Sequence, residues 1–129
     1  MSLRFCQHPW LTDVIDTTNA VATASTATQF APPSGSAGMI EVRGVARLTS
    51  GASSGHSAPF YLAQGFSDIG GVVTMEGSVT TLVAISSGNA ALSTVTVTIG
   101  ITASKVTVTV TGIAATNIEW LLDVRFTGN

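Results

Sequence analysis

From Lys105 to Thr111 the chain reads K-V-T-V-T-V-T, and from Thr94 to Ile99 it reads T-V-T-V-T-I. Strict alternation of apolar and polar side chains fits an extended strand, with the valines on one face and the threonines on the other. Val and Thr are β-branched and stiff at χ1, so they suit a pleated surface better than a helix. The same period governs Met39–Thr49, where Ile40, Val42, Gly44, Ala46 and Leu48 share one face and Glu41, Arg43, Val45, Arg47 and Thr49 the other. In Asn117–Thr127 it sets Ile118, Trp120, Leu122, Val124 and Phe126 inward and Glu119, Leu121, Asp123 and Arg125 outward. Weaker strand candidates are Val21–Phe30, Ala58–Phe66, Val72–Val79 and Thr81–Ser86. Turn material separates them, notably Pro32-Pro33-Ser34-Gly35, Ser50–Gly55, Ile69-Gly70-Gly71, Ser87-Gly88-Asn89 and Ala103-Ser104. Short strands about 8–12 residues apart with such turns predict an all-β fold, an antiparallel β-sandwich or jelly-roll-like domain. No stretch supports a long amphipathic helix; at most Asp13–Asn19 turns once, capped by Thr12 or Asp13.

What covers the outer faces is the next constraint. Charged residues make up only 9% of the chain, against about 25% in ordinary soluble proteins. Apolar residues stand at 45% and the net charge is −2, so disorder does not account for the deficit. A Thr/Ser/Ala/Gly exterior predicts a homo-oligomer or lattice subunit whose surface is shared with neighbours. The charge gives no footprint for nucleic acid, and no apolar run approaches the roughly 18 residues of a membrane span. Cys6 is the only cysteine, so no intrachain disulfide forms, and the N-terminus lacks the apolar run of a signal peptide. Assembly in a cytoplasm is the expectation.

Residues 1–19 differ from the remainder, residues 20–129, in lacking strand alternation, and read as an N-terminal arm before the β domain. Phe5, Pro9, Trp10 and Leu11 need cover that so short a segment does not supply. They are the candidate partner-binding residues; Trp10 either anchors in a neighbouring protein or folds back on its own domain.

The order Met39-Ile-Glu-Val-Arg-Gly-Val-Ala-Arg-Leu-Thr49, a Ser/Gly loop, Ala58-Pro-Phe-Tyr-Leu-Ala63 and Gly71-Val-Val-Thr-Met-Glu-Gly-Ser-Val79 resembles a domain of tailed-bacteriophage structural proteins. The ending is similar too: Val106-Thr-Val-Thr-Val-Thr-Gly112, then an I-x-W-x-x-x-V-R strand from Ile118 to Arg125. The resemblance spans about residues 17–127 and implies a virion location. In that family such domains serve as capsid decoration (cement) proteins or as tail and tail-fibre modules, often trimeric. A short arm and one sandwich put decoration first, bridging subunits of the major capsid protein. A tail or tail-fibre subunit, with receptor or glycan binding, is the alternative.

No constellation predicts an enzyme, a metal or a cofactor. Gly51-Ala-Ser53-Ser-Gly55 meets the G-x-S-x-G pattern with His56 beside it, but the chemistry needs a strand-to-helix elbow and β-type sequence follows. Cys6, His8 and His56 match no zinc spacing. Asp13 and Asp16 lack the further oxygen ligands of a calcium loop. Phe60 and Tyr61 form at best a thin sugar platform. Glu41, Arg43 and Arg47 on one strand and Glu119, Asp123 and Arg125 on another predict cross-strand ion pairs, and this face is the candidate oligomer contact.

Overall fold

The structure, a computed structural model, describes residues 6–7, 10–25, 30–85 and 89–129, with only the backbone of Cys6 and Gln7. Among the described residues nine strands follow in order: β1 Cys6–Gln7, β2 Leu11–Thr17, β3 Ala22–Ala24, β4 Ala37–Leu48, β5 Ser57–Ile69, β6 Val72–Val83, β7 Thr96–Thr102, β8 Lys105–Thr111 and β9 Ile118–Gly128. A short 3-10 turn covers Ala90–Leu92, with the Asn89 side chain accepting from Ala91 N. All pairings are antiparallel.

The larger sheet runs β9-β4-β5-β6, and β1 and β2 share the far side of β9. The smaller sheet has the order β3-β8-β7. The two pack face to face as a β-sandwich, as alternation predicts. The register sets Ile40 opposite Phe126, Val42 opposite Val124 and Ala46 opposite Trp120. These inward residues meet Val106, Val108 and Val110 of β8 in one buried cluster. Phe30, Phe66 and Phe126 close one end of it, and Phe60 packs beside Trp120 with ring centroids 6.2 Å apart.

Two tight hairpins shape the sheets. Ile69 pairs with Val72 across Gly70 and Gly71, both at positive φ, the backbone of a type I′ turn that matches strand twist. Thr102 pairs with Lys105 across Ala103 and Ser104, which adopt positive φ without being glycine.

Three expectations change. The turn of helix at Asp13–Asn19 is instead strand β2, zipped to β9 from Leu11↔Val124 to Thr17↔Ile118. Thr12, Val14, Ile15 and Thr17 are β-branched, and β9 offers a ready edge, so pairing wins over a cap. The two segments Val72–Val79 and Thr81–Ser86 join as one strand, β6, irregular where Gly77 takes φ +68°. There Gln64 Nε2, buried, donates to the carbonyls of Glu76 at 2.9 Å and Gly77 at 3.1 Å, holding the irregularity in place. Of Val21–Phe30, Ala22–Ala24 forms β3 and Phe30 bridges to Val106; residues 26–29, like 86–88, lie outside the described residues.

Candidate functional site

The charged face forms because the β4–β9 register sets Glu41 opposite Arg125, Arg43 opposite Asp123 and Arg47 opposite Glu119. All six candidate contact residues therefore stand in two facing columns on the outer side of the larger sheet. Arg125 approaches Glu41 through Nη2 at 3.0 and 3.2 Å and through Nε at 3.3 Å, a forked geometry that holds both side chains. Arg43–Asp123 and Arg47–Glu119 are looser, each at 3.6 Å, and more exposed. Pairs of that kind contribute about 0–1 kcal/mol. Thr12 Oγ1 donates to Asp123 Oδ1 at 2.8 Å, which ties β2 into the same face.

Trp10 covers this face. Its ring lies 3.9 Å from the Arg43 guanidinium carbon and 4.5 Å from that of Arg125, and it meets Tyr61 edge-on with centroids 6.4 Å apart. Of the two ways to cover Trp10, the chain uses its own surface. Leu11 begins β2 and is exposed, while Phe5 and Pro9 lie outside the described residues. Tyr61 and Thr12 join the cluster without having been singled out for it. The available signal for Tyr61 was its register, since it stands opposite Arg43 on β5. Phe60, its proposed companion in a sugar platform, is 3% exposed and belongs to the core, because neighbours along a strand point to opposite faces.

Each arginine here has an acidic partner, so the face carries little uncompensated positive charge for a phosphate or an acidic sugar. Tyr61, the only tyrosine, donates to Glu41 Oε2 at 2.6 Å. That bond, then partial burial, then the Glu41 charge hold the phenol above its ordinary value, against the pull of Arg125 and Arg43. The folded chain therefore keeps this proton longer than the unfolded chain does. The resulting stabilisation is complete below about pH 10, the unfolded value, and is lost as pH rises through the folded value. Ultraviolet titration of the phenolate reads this directly. The folded midpoint should exceed that of the urea-unfolded chain, and Glu41→Gln should narrow the gap; coincident midpoints in the parent chain would refute the bond.

The remaining sequence candidates do not assemble. The Gly51–Gly55 loop joins β4 to β5, two strands, with His56 N donating to the Ser53 carbonyl at 3.2 Å and no side-chain hydrogen bond from Ser53 or Ser54 to His56 among the described residues. Asp13 and Asp16, on one strand three apart, face opposite ways; Ser25 Oγ donates to Asp13 Oδ2 at 2.5 Å. His8 and the Cys6 side chain lie outside the described residues, and among those described no group of three His, Cys, Asp or Glu is placed to hold a metal. No described helix is long and apolar enough to cross a membrane.

Charge is distributed unevenly. Of five basic and seven acidic residues, Asp13, Asp16, Glu41, Arg43, Arg47, Glu119, Asp123 and Arg125 all lie on β2, β4 and β9. At the other edge of the larger sheet, β6 carries only Glu76 and exposes Val72, Val79, Leu82 and Val83. Beside it, between the β6 and β7 edges, a cleft of about 430 Å³ is floored by Phe60 and Leu62 and walled by Val79, Ile85, Val97 and Ile99. None of its lining residues is ionisable.

No protein-family profile matches the sequence, and no curated protein matches it. Among solved structures the chain is similar to the tailspike protein of Acinetobacter baumannii phage AM24, with a TM-score of 0.49 and 12% identity over 92% of this chain and 26% of that one. It is also similar to a tailspike protein of Acinetobacter baumannii bacteriophage Fri1, described as a capsular polysaccharide depolymerase, with a TM-score of 0.43 and 9% identity over 92% and 19%. The chain thus spans about a quarter and a fifth of the length of those two proteins.

Proposed function

We propose that this chain is a structural module of a tailed-bacteriophage particle, situated in the tail and working as one subunit of an oligomer. Its work in this reading is mechanical: surface that the monomer leaves open is closed against neighbours. The observation that carries the proposal is the segregation of charge. One side of the larger sheet, the candidate oligomer contact, is ionic and internally paired, while the other edge carries a single charge, Glu76, and exposes Val72, Val79, Leu82 and Val83 among threonines and a serine. A surface divided in this way favours a permanent neighbour over a free life in solution.

The resemblance of the Val106–Gly112 and Ile118–Arg125 segments to phage structural domains supplies the virion context. Two features favour the tail over capsid decoration, which sequence alone put first. The decoration reading depends on an arm that reaches across the capsid, yet Leu11–Thr17 is a strand of the chain's own sheet. Trp10, the strongest anchor in that arm, lies on its own arginines.

Immunogold labelling of intact particles with antibody to the folded chain tests the reading. Label confined to the tail is the expected result. Label spread over the head would restore decoration, and particles without label would remove the virion role altogether.

A further inference from the structure

We infer that the cleft between β6 and β7 is filled by residues 1–5 of a second copy of this chain, laid along β7 as a further strand of the smaller sheet. The inference rests on the subunit reading above and names its contact.

The smaller sheet is one strand short on that side. Among the described residues β7 pairs only with β8, in unbroken register from Thr96↔Thr111 to Thr102↔Lys105, so its outer edge is free. Lysine and proline, the usual guards of such an edge, are absent from Thr96–Thr102. The inward rows show the gap. Val106, Val108 and Val110 of β8 are fully buried, whereas Val97 and Ile99 of β7 are only partly covered and Ile101 is 39% exposed. Across the cleft, Val79 is 46% exposed. A strand added to β7 gains backbone bonds along its length and turns alternate side chains into the cleft. With about 430 Å³ and no ionisable lining residue, the cleft takes apolar side chains.

The chain itself holds the matching segment. Of the residues outside those described, 8–9 are His-Pro, 26–29 Thr-Ala-Thr-Gln and 86–88 Ser-Ser-Gly, while residues 1–5 read Met-Ser-Leu-Arg-Phe. Residues 1–19 as a whole lack alternation, but these five put Met1, Leu3 and Phe5 on one side of an extended chain and Ser2 and Arg4 on the other. Three apolar side chains at that spacing match Val97, Ile99 and Ile101, and the one charge, Arg4, turns to solvent. The same copy does not reach its own cleft. Cys6 is held opposite Gly128, level with Gly38 and Phe66. The cleft floor at Phe60 and Leu62 lies on β5, three strands across and at least four residues along. At about 4.8 Å per strand and 3.4 Å per residue that separation is roughly 20 Å, while Phe5 stays within about 4 Å of Cys6. A second copy's arm is under no such limit. Each copy then gives one arm and takes one, closing as a reciprocal pair or a ring.

Light scattering on the full chain and its variants tests the contact. The parent should have two or three times the chain mass of 13.1 kDa. Leu3→Asp/Phe5→Asp, altered only in the arm, and Val79→Asp, altered only in the cleft, should each be single chains, with dissociation constants raised about a hundredfold or more. The parent's circular dichroism spectrum would show that they are folded. Should Val79→Asp unfold, Thr81→Asp, at an exposed position of the same wall, takes its place. Mixed in equal amounts, the arm and cleft variants should form a species of two chains, since one still offers an arm and the other a cleft. A monomeric parent, a folded arm variant that keeps the parent's mass, or a mixture that stays monomeric would each overturn the inference. Particle labelling judges the virion reading separately: an arm-joined oligomer absent from particles would sink that reading alone.

Discussion

Replacing Gly44 by alanine should cost this fold about 3 kcal/mol or more, while the same change at Gly100 should be within about 0.5 kcal/mol of neutral. Both glycines sit in strands without positive φ, so chain flexibility alone does not separate them. Space does. A Cβ built on Gly44 falls 1.9 Å from the Leu121 carbonyl oxygen and 3.0 Å from Phe60 Cζ, whereas one built on Gly100 meets nothing within 4 Å. The first of these contacts is with backbone, so no rotamer change relieves it. β9 has to move away from β4, and the Glu41–Arg125 and Arg43–Asp123 pairs ride on that register. Urea unfolding of the two variants is the measurement. Equal midpoints for Gly44→Ala and the parent would show that the close approach of β4 and β9 is not needed. The charged face is thus a product of core packing: its columns face each other because a residue without a side chain lets two strands lie this close.

How much of this could be read in the sequence varies with what each strand faces. β8 spans Lys105–Thr111, the alternating run itself, because its three valines all point into the core and nothing interrupts the pattern. β2 was hidden because its inward face is half polar. Asp13 and Thr17 alternate there with Leu11 and Ile15, each polar group finding a partner that only the folded chain supplies. A period-two reading of hydrophobicity does not see such a strand. β6 was cut in two by the irregularity at Gly77, where the alternation loses phase. The cross-strand ion pairs were legible from the alternation of charge on two strong strands. The Trp10 contact was not, since it depends on β2 pairing with β9, which sets the residue just before β2 beside Arg43 and Arg125.

The motif that links the ends of the chain gives the second large effect. Trp120 is fully buried, and its Nε1 donates to Thr17 Oγ1 at 2.9 Å. The same hydroxyl lies against Gly112, where an added Cβ would come within 2.6 Å of it. The glycine ending the V-T-V-T-V-T-G run and the tryptophan of the I-x-W-x-x-x-V-R strand therefore meet at one atom of β2. Three segments distant in sequence are fastened there. Trp120→Ala removes both the ring and the donor, and should cost about 3–5 kcal/mol. Thr17→Val keeps the volume but leaves a buried indole N–H without its acceptor, a loss of about 1–3 kcal/mol. Trp120→Phe removes the donor and keeps most of the packing. Added to Thr17→Val it should destabilise less than the sum of the two single changes, since the indole N–H is already gone. A double-mutant cycle by chemical unfolding measures that coupling. Additive losses would mean that the hydrogen bond contributes nothing, leaving β2 held by its ladder with β9, by Ile15 in the core and by the Thr12–Asp123 and Asp13–Ser25 bonds.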